Sequence, residues 1–593
     1  MSVGVAVPGS SVITPSKWTE PGREKTRDPF VHHRFELGGA GRAAVRAIAP
    51  GFGFDGFGEC VYMRGYSRRM PVRAPETFQR QEAWPDTVLR VVDGVFSIRK
   101  DHYKKQRLPW DEGYWQAQAA GMAEAIARME FLPPGRGLFA MGSDYVYQRG
   151  AMALYNCAAI SLSDLPHDLG WVMDVLMCGV GCGIEVTPES VAMCWPAGHR
   201  RVYAVPDSRE GWVERQVLLL RSYCEGSNPV EFDYGGVRPE GAELLGMGGY
   251  SAGPDPLRQL HERTREVCER YLRGEYGPTR LKADLANILG CCVVMGNVRR
   301  SAEILIGQMS DPEFLDLKNY DKHPERAQWG WISNNSVALE TPEDFVAMPE
   351  IAARIRANGE PGFINRVAIQ KFGRFGREMP DKARLINPCA ELPLEHAEVC
   401  NLSEVFATRC RDDAALFRAM RYATLYCSTV SLLPTHRAET NNVVARNRRI
   451  GVSISGIAEW REEIGMARMT RLLRDGYKVV RGENARLAVE AGVPPSIRVT
   501  TVKPSGSISQ LAGVSSGMHF PIYKYALRRM RAGRQLPICA VLKAAGYHYQ
   551  PDPDEPEKTL VFDFPIDQGK ARKAADVSVW EQALLLTALQ REW

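Results

Sequence analysis

The chain has 593 residues, and its 75 lysines and arginines against 70 aspartates and glutamates give a formal net charge of +5. This excess is small for the length, so the charge does not point to a nucleic-acid partner. The sequence has no run of about eighteen apolar residues and no charged start followed by an apolar block, so we expect neither a membrane span nor a signal peptide. Fourteen cysteines without secretory features indicate reduced thiols in a cytoplasmic protein.

The N-terminal quarter of the chain is predicted to be helical after an irregular start. Residues 1–55 are rich in Gly, Pro, Ser and charge, which predicts an extension that is ordered at most in part. Residues 56–150 form a lead-in in which Trp115 to Met129 has the spacing of an amphipathic helix. The apolar segment Met152 to Leu162, which carries Cys157, predicts a buried strand.

A glycine run at 179–183 follows a predicted helix from Leu169 to Met177. Alternating glycines could cradle a phosphate, but the strand–loop–helix order of a dinucleotide site is missing, so close backbone packing is the favoured alternative. Cys178 and Cys182 have a spacing that suggests a metal, yet no second ligand pair follows at zinc-site spacing. We interpret them as structural thiols and predict no metal site.

The middle of the chain changes character at about residue 195. A long charged helix is predicted from Pro256 to Arg273, after a Gly-rich piece, Gly246 to Gly253, that we expect to be a mobile loop. The apolar run Cys291 to Val294 predicts a buried strand. Beyond it, short apolar strands alternate with helices such as Leu416 to Leu432 and Asn484 to Ala491, an order that favours an α/β architecture.

The stretch Asn387–Glu391 places an amide, a thiol and a carboxylic acid within five residues. Pro388 favours an extended turn or loop tip, and Cys389 and Glu391 share a face of an extended chain, so both could meet one small substrate. A second thiol, Cys400, follows after a segment long enough to turn back. Taken alone the pattern is weak, because a half-buried cysteine in a loop usually packs as a small hydrophobe.

Asn387–Glu391 followed by Cys400–Leu402 resembles the active-site finger loop of ribonucleotide reductases. Other blocks match that family in the same order: Leu132–Leu138, Asn156–Cys157, Gly179–Gly183, Gly296–Glu303, Ser333–Ser336, Gly359–Gly362, Asn447–Gly451 and Lys503–Ile508. The resemblance runs from roughly residue 55 to the C-terminus. It implies a ten-stranded α/β barrel over residues 151–593 with the finger loop threading its centre, whereas periodicity alone predicts only the α/β class.

The resemblance also implies catalytic roles. Cys389 would carry a thiyl radical, Glu391 would act as general base on the 3′-hydroxyl, and Asn387 would hold the sugar hydroxyls. Cys157 and Cys400 look like the pair that is oxidised to a disulfide in each turnover. We therefore expect these five side chains to meet, with Cys389 held inside the barrel and away from solvent.

The run Lys503–Ile508 offers hydroxyls, a glycine and backbone N–H groups, which suit a phosphate. In the family this run binds the phosphates of the substrate; a plain turn is the alternative, and Ser515–Gly517 is expected to support the loop. The substrate-binding residues implied by the resemblance are Asn156, Ser161, Pro504, Ser505, Gly506, Ser507 and Ile508.

Residues 195–285 most resemble the monomeric, adenosylcobalamin-dependent branch, in which an inserted segment builds the effector site. This likeness implies adenosylcobalamin as cofactor, dNTPs or ATP as specificity effectors, and ribonucleoside triphosphates as substrates. Arg299 and Arg300 would lie in the turn that links effector and substrate sites, with a solvated basic turn as the alternative.

The branches of the family that use other radical sources carry sequence motifs that this chain lacks. It has neither the Tyr-Tyr pair of the branch with a separate radical subunit nor an Arg-x-x-Gly-Tyr sequence near its C-terminus, as a glycyl-radical branch would. The segment Asp321–Arg326 nearly matches a cobalamin-binding Asp-x-His-x-x-Gly motif but has arginine in place of glycine. We therefore interpret His323 as a surface residue and expect cobalamin to bind base-on.

Partners follow from two departures from the family. The last cysteine is Cys539, so the usual C-terminal cysteine pair is missing, and the chain stops at Trp593, where we expect relatives to continue into a further strand. We also find no counterpart of the family's N-terminal ATP-binding regulatory domain. Thioredoxin or a similar dithiol is the expected reductant. We hypothesise that a short second polypeptide supplies the C-terminal strand and tail thiols; direct reduction by a small redox protein is the rival.

Two other functions stay open on the sequence. One is a catalytically inactive, nucleotide-binding regulatory relative, which the presence of every proposed catalytic residue disfavours. The other is a glycyl-radical enzyme on the same barrel. The sequence does not decide between a monomer and a dimer.

Overall fold

The computed structural model describes residues 28–70, 81–244, 250–295, 302–371, 381–569 and 571–593. Arg299 and Arg300, and the first half of the Gly-rich loop predicted at Gly246 to Gly253, lie outside these ranges. In the second half, Tyr250–Ala252 forms a strand and not the predicted loop. Within them, no helix has the length and apolar character needed to cross a membrane.

The strands of the described residues are, in chain order, β1 Phe131–Leu132, β2 Cys157–Ser161, β3 Gly181–Glu185, β4 Arg201–Ala204, β5 Val230–Asp233, β6 Glu240–Glu243, β7 Tyr250–Ala252, β8 Glu303–Gln308, β9 Ser333–Leu339, β10 Gly362–Asn365, β11 Leu385–Ile386, β12 Pro393–Leu394, β13 Glu398–Cys400, β14 Leu402–Phe406, β15 Gly451–Ser455, β16 Tyr525–Gly533, β17 Tyr549–Pro551 and β18 Thr559–Asp567.

The α-helices are α1 Gly39–Ala47, α2 Phe57–Gly65, α3 Trp84–Lys105, α4 Glu112–Ala127, α5 Gly135–Ala140, α6 Asp144–Arg149, α7 Leu165–Met177, α8 Arg209–Cys224, α9 Asp255–Leu272, α10 Pro278–Val294, α11 Pro312–Leu315, α12 Pro342–Asn358, α13 Arg366–Lys371, α14 Asp413–Val430, α15 Ala438–Asn447, α16 Ile457–Ile464, α17 Met466–Ala491, α18 Ile508–Ala512, α19 Pro537–Ala544 and α20 Val579–Glu592.

The chain divides into two compact units, and the first contains Asn156–Cys400. Its centre is a six-stranded sheet in the order β10-β9-β8-β3-β2-β13. Only β13 runs antiparallel to its neighbour, and the other pairs are parallel. The crossover helices α7 and α10 are buried on nearly every side, which is what a parallel sheet covered by helices requires. The finger loop, a hairpin of β11 and β12, also belongs to this unit.

The second unit combines Pro29–Tyr155 with Asn401–Trp593. It holds a three-stranded sheet, β1-β14-β15, in which β14 and β15 are parallel. Helices α3, α14 and α17 pack beside this sheet. A second antiparallel sheet, β16-β18-β17, forms a separate apolar core with Phe57, Phe562 and Phe564.

Most predicted helices are confirmed: α4, α7, α9, α14 and α17 cover the predicted segments within a few residues, apart from the longer α17. Two predictions of strands need correction. Cys291 to Val294 is the last turn of helix α10, because a short apolar run cannot be told from a helix that is buried all round. Met152 to Leu162 becomes a strand only at Cys157, after a 3-10 turn.

The α/β architecture is confirmed. The described strands lie in separate sheets, so the ten-stranded barrel stays a prediction.

Candidate active site

The finger loop is a tight hairpin that exposes its tip. Leu385 pairs with Leu394, and the backbone N–H of Asn387 donates to the carbonyl of Leu392 at 3.2 Å. The N–H of Ala390 donates to the carbonyl of Asn387 at 2.9 Å, and Ala390 takes a left-handed φ of 59°. This turn places Cys389 at the tip, as Pro388 in the sequence predicted.

The side-chain amide of Asn387 forms two hydrogen bonds within the tip of the finger loop. Its Nδ2 donates to a carboxylate oxygen of Glu391 at 2.7 Å, while its Oδ1 accepts the N–H of Leu392 at 3.0 Å. Asn387 is fully buried, so both bonds are made away from water. Its side chain therefore holds Glu391 in a fixed direction.

Cys157 and Cys400 are direct neighbours on two antiparallel strands. Cys400 at the end of β13 lies opposite Cys157 at the start of β2, and the N–H of Asn156 donates to the carbonyl of Cys400 at 3.2 Å. Side chains directly opposite each other in such a pair have Cβ atoms about 4.5–5.5 Å apart, close to the separation that a disulfide needs. Both cysteines are free thiols in this structure.

The thiol of Cys389 and the carboxylate of Glu391 join this pair. The Sγ atoms of Cys157 and Cys389 and a carboxylate oxygen of Glu391 all lie within 4.8 Å of one another. The structure thus brings together the five residues proposed as catalytic. The expectation that Cys389 is shielded from solvent is wrong, because the turn leaves it exposed while Cys157 and Cys400 lie buried beneath it.

Both buried thiols hold their protons firmly. For Cys157, a hydrogen bond with Cys389 lowers the pKa, but the bond with Cys400 and burial outweigh it and raise the pKa well above its usual value. For Cys400, burial raises the pKa and a bond with Cys157 only partly offsets it. At neutral pH this pair is therefore a dithiol with protons to give.

The glycine run at 179–183 serves close packing of the finger loop. A Cβ on Gly183 would lie 1.8 Å from the carbonyl oxygen of Ile386, and one on Gly181 would lie 3.1 Å from Pro388. Only glycine lets the hairpin approach β3 this closely. This contact favours the packing interpretation of the run over a phosphate cradle.

Asn156 and Ser161 lie at opposite ends of the segment that carries Cys157. The side-chain oxygen of Asn156 is buried and has no hydrogen-bond partner among the described residues, so it is free to accept from a sugar hydroxyl. Ser161 follows Cys157 by four residues on the same face of β2, roughly 13 Å along the strand. The structure therefore does not bring Ser161 to the thiols.

Ser161 is held by a network that the sequence did not reveal. Its hydroxyl donates to Glu185, which also pairs with Arg366, and its N–H donates to Nδ1 of His396 at 3.3 Å. Arg366 binds Glu340 through its other terminal nitrogen. Glu185 and Arg366 are both buried, so the pair fixes the end of β2.

The run Lys503–Ile508 forms a loop in the second unit. Ser505 is buried with φ 49°, and its hydroxyl donates to the buried Glu404 and accepts from the N–H of Ser509 at 3.1 Å. Its hydroxyl thus ties the loop to β14, and its carbonyl accepts from the hydroxyl of Ser509 at 2.9 Å. Lys503 Nζ lies 3.6 Å from Glu404.

The open side of this loop is formed by Gly506 and Ser507. A Cβ on Gly506 would meet nothing within 4 Å. Ser507 shares a short hydrogen bond with the hydroxyl of Tyr66. Gly517 packs against the backbone of Lys503, where a Cβ would come within 2.4 Å, so the predicted support from Ser515–Gly517 is confirmed for this residue.

His323 is not a plain surface residue. Its Nδ1 lies 2.9 Å from a guanidinium nitrogen of Arg280, and partial burial, with Arg280 next, lowers its pKa. The guanidinium can only donate, so Nδ1 accepts and the ring is neutral. A sequence pattern could not show this, because Arg280 lies on the separate helix α10.

Sequence reasoning missed Glu185, Arg366, Glu404 and Tyr66. All four act through contacts between distant parts of the chain. The one signal in the sequence was the presence of charged residues inside segments that are otherwise apolar, as for Glu185 at the end of β3 and Glu404 within β14. Such a residue is buried only when it has a partner.

Two family models match the chain. The model described as "Ribonucleotide reductase alpha domain" matches residues 43–143, and the one described as "B12-dependent ribonucleotide reductase, insertion domain" matches residues 191–267. With the thiol cluster, these matches define a ribonucleotide reductase.

Relatives that match over most of the chain identify the branch of the family. An adenosylcobalamin-dependent ribonucleoside-triphosphate reductase of Euglena gracilis is 38% identical over 576 residues, which cover 94% of this chain and 77% of that protein. A protein of the same name from Levilactobacillus brevis is 30% identical over 93% of this chain and 84% of its own length. The crystal structure of a B12-dependent (class II) ribonucleotide reductase superposes with a TM-score of 0.82 at 26% identity, covering 94% of this chain and 88% of that one. The chain belongs to the adenosylcobalamin-dependent ribonucleotide reductases.

Proposed function

We propose that this chain reduces ribonucleoside triphosphates to 2′-deoxyribonucleoside triphosphates by thiyl-radical chemistry at Cys389. The observation that carries the proposal is the cluster of Cys157, Cys389, Cys400 and Glu391, with one thiol exposed and two buried. Replacing an unactivated 2′-hydroxyl by hydrogen needs a radical on the neighbouring carbon, a base, a proton and two electrons. The cluster supplies each of them.

Adenosylcobalamin, when bound, supplies the radical that removes the hydrogen atom from the thiol of Cys389. Two features of the chain fit it. The exposed Cys389 is open to a group that approaches from outside, and the hairpin fixes its position. His323 is engaged by Arg280 through Nδ1, which supports base-on binding without a ligand from that motif.

The residues then act in a defined order. The sulfur of Cys389 takes the hydrogen atom from C3′, while Glu391 accepts the proton of the 3′-hydroxyl. The 2′-hydroxyl leaves as water with a proton from the Cys157–Cys400 pair. That pair then gives two electrons and its second proton to the sugar and becomes a disulfide. Cys389 returns its hydrogen atom to C3′, and Glu391 returns the proton to the 3′-oxygen.

The raised pKa values of Cys157 and Cys400 suit this order, because a protonated thiol is needed to release water. Asn387 keeps Glu391 in place and Asn156 offers a buried acceptor to the sugar. Thioredoxin or a similar dithiol then reduces the disulfide.

The substrate's phosphates bind at the loop of Lys503 and residues 504–508. Gly506 lies at its open side next to Ser507, and a glycine-containing turn of this kind suits a phosphate. Lys503, which lies 3.6 Å from Glu404, borders the loop. Ser161 is proposed as a further substrate contact, held by Glu185. We also propose the ten-stranded α/β barrel of the family as the full architecture, with the finger loop at its centre.

Effector binding is proposed for the inserted segment. The insertion-domain match at residues 191–267 supports a site there for dNTPs or ATP. For Arg299 and Arg300 we propose a role in communicating effector binding to substrate choice.

The test is anaerobic turnover of CTP and of CDP with adenosylcobalamin and dithiothreitol, followed by chromatography of the deoxynucleotides. We expect dCTP from CTP, little product from CDP, and none from Cys389→Ser. The exposed Cys194 offers a matched control, and Cys194→Ser should keep full activity. Product without adenosylcobalamin, or from Cys389→Ser, would overturn the proposal.

A further inference from the structure

The motif Asn447–Gly451 has no part in the site above, but it places an arginine at a small cavity in the second unit. Arg448 ends helix α15 with a left-handed φ of 46°. One terminal nitrogen of its guanidinium donates to the carbonyl of Ser431. Its Nε is buried without a hydrogen-bond partner among the described residues.

A second arginine faces the same cavity. Arg99 on α3 is 0% exposed, and its terminal nitrogens donate to neutral groups only: Thr429 Oγ1 at 3.2 Å, the hydroxyl of Tyr103 at 3.3 Å and the carbonyl of Leu487 at 3.4 Å. Its guanidinium lies 4.8 Å from the ring centroid of Trp115. Its Nε, like that of Arg448, lacks a partner in the part of the chain that the structure describes.

Neither arginine forms an ion pair with a carboxylate of the described residues. The acidic group that acts on Arg99 from nearby is Glu490, and this carboxylate is bound by Arg486, which is also positive. His102 lies close enough for both arginines to lower its pKa, although burial is the larger cause. The buried guanidinium of Arg99 and the half-buried one of Arg448 therefore face the cavity, and none of the described carboxylates lines its wall. The groups that accept from them are backbone carbonyls and neutral hydroxyls.

The cavity has a volume of about 10 Å³. Its polar wall includes Ser428 and Ser496, whose hydroxyls accept from the amide of Asn484 at 3.1 and 2.8 Å. This is about the smallest volume that admits one water-sized ligand, so a polyatomic anion such as phosphate does not fit without movement of the wall. The size limits the ligand to a single atom.

We propose that this cavity binds one chloride ion between Arg99 and Arg448. Burying an unpaired guanidinium is costly, and arginine does not lose its proton to avoid that cost. Water could accept from both Nε groups but would leave both charges uncompensated. A halide accepts the same hydrogen bonds and supplies the missing negative charge.

The bound ion would lie between four helices and stabilise their packing. Arg99 lies on α3, Ser428 on α14, Arg448 at the end of α15 and Asn484 on α17. The site is independent of the catalytic chemistry, because none of these residues belongs to the thiol cluster or the phosphate loop. Chloride is thus a structural ligand of the second unit.

The first test uses the wild-type enzyme. Crystals grown with bromide in place of chloride should show an anomalous peak in the cavity beside the guanidinium groups of Arg99 and Arg448. No anomalous peak, or the density of a water molecule, would overturn the proposal.

The second test asks whether the ion stabilises the fold in solution. At constant ionic strength, exchanging gluconate for chloride should raise the melting temperature of the wild type by about 2 °C. Arg448→Gln should lose this rise, and Arg471→Gln, an exposed arginine on α17, should keep it. An equal rise in wild type and Arg448→Gln, or a bromide peak without any rise, would mean an adventitious ion only and would refute the site.

Discussion

Glu391 is the proposed general base, so its substitution should change the turnover rate directly. Its carboxylate lies beside the thiols of Cys157 and Cys389 and accepts a hydrogen bond from the amide of Asn387. This arrangement is suited to taking a proton from a sugar hydroxyl. We expect Glu391→Gln to lower kcat about 10²- to 10⁴-fold, the usual contribution of a well-placed acid or base, and to leave substrate binding nearly unchanged. Steady-state kinetics with CTP and a separate binding measurement check this.

The matched control for this change is Glu395→Gln in the same segment, which should keep the wild-type rate. A Glu391→Gln enzyme with the rate of the wild type would show that the base lies elsewhere.

That Asn387, Cys389 and Glu391 lie together could be predicted from the sequence, because they fall within five positions and resemble a known motif. The exposure of Cys389 could not. It depends on how the turn at Ala390 lies over Cys157 and Cys400, a relation between segments that are far apart in the chain. Long-range pairs such as Glu185 with Arg366 were hidden for the same reason.

At the scale of elements, the finger loop is positioned by the glycines of β3. Gly183→Ala would place a Cβ 1.8 Å from the carbonyl oxygen of Ile386 and push the hairpin away from the sheet. We expect a loss of about 1–3 kcal/mol in the free energy of unfolding, as for other overpacked sites, and a fall in kcat of about 10²-fold. Denaturation and kinetic measurements test both.

Gly482→Ala on α17 is the control, because its Cβ would meet nothing within 4 Å. It should be neutral or slightly stabilising, since alanine favours a helix. Equal behaviour of the two variants would refute the packing role of Gly183.

The loop that we propose for the substrate's phosphates is held by Tyr66, whose hydroxyl forms a hydrogen bond with Ser507. Tyr66→Phe removes this one bond, so we expect KM for CTP to rise about 2- to 10-fold while kcat changes little. Tyr114→Phe, which loses only a surface contact with Arg486, should leave KM unchanged. A fall in kcat alone would contradict a role of Tyr66 in holding the phosphate site.

Elements that are local in sequence were predictable, as the five confirmed helices show. The error at Cys291 to Val294 has a physical origin, because α10 is apolar on all sides and its last turn has no polar stripe to reveal a helical period. How the strands group into sheets depends on pairing between remote segments, so only the α/β class followed from the pattern.

For the molecule as a whole, one buried acid makes stability depend on pH. Glu303 begins β8, is completely buried, and burial raises its pKa to about 8 although a bond from Asn287 lowers it. Below about pH 4.5 the folded and unfolded chains both keep this proton. Between pH 4.5 and 8 only the unfolded chain loses it, so the free energy of unfolding falls as pH rises, by at most about 5 kcal/mol.

Glu303→Gln resembles the protonated acid and cannot titrate. We therefore expect the variant to gain stability over the wild type steadily from pH 5 to pH 8 in denaturation experiments. Glu266→Gln, an exposed change on α9, should show no such trend. A difference between Glu303→Gln and wild type that is independent of pH would disprove the buried proton.

The thiol of Cys389 as the acceptor of the cofactor's radical is the central claim, and exchange of hydrogen tests it most directly. A hydrogen atom taken from the sulfur and later returned equilibrates with water while it is on the thiol. Adenosylcobalamin tritiated at its 5′ carbon should thus release tritium to water with wild-type enzyme and effector. Cys400→Ser should also release it, whereas Cys389→Ser should not. Release of tritium at the wild-type rate by Cys389→Ser would contradict the account.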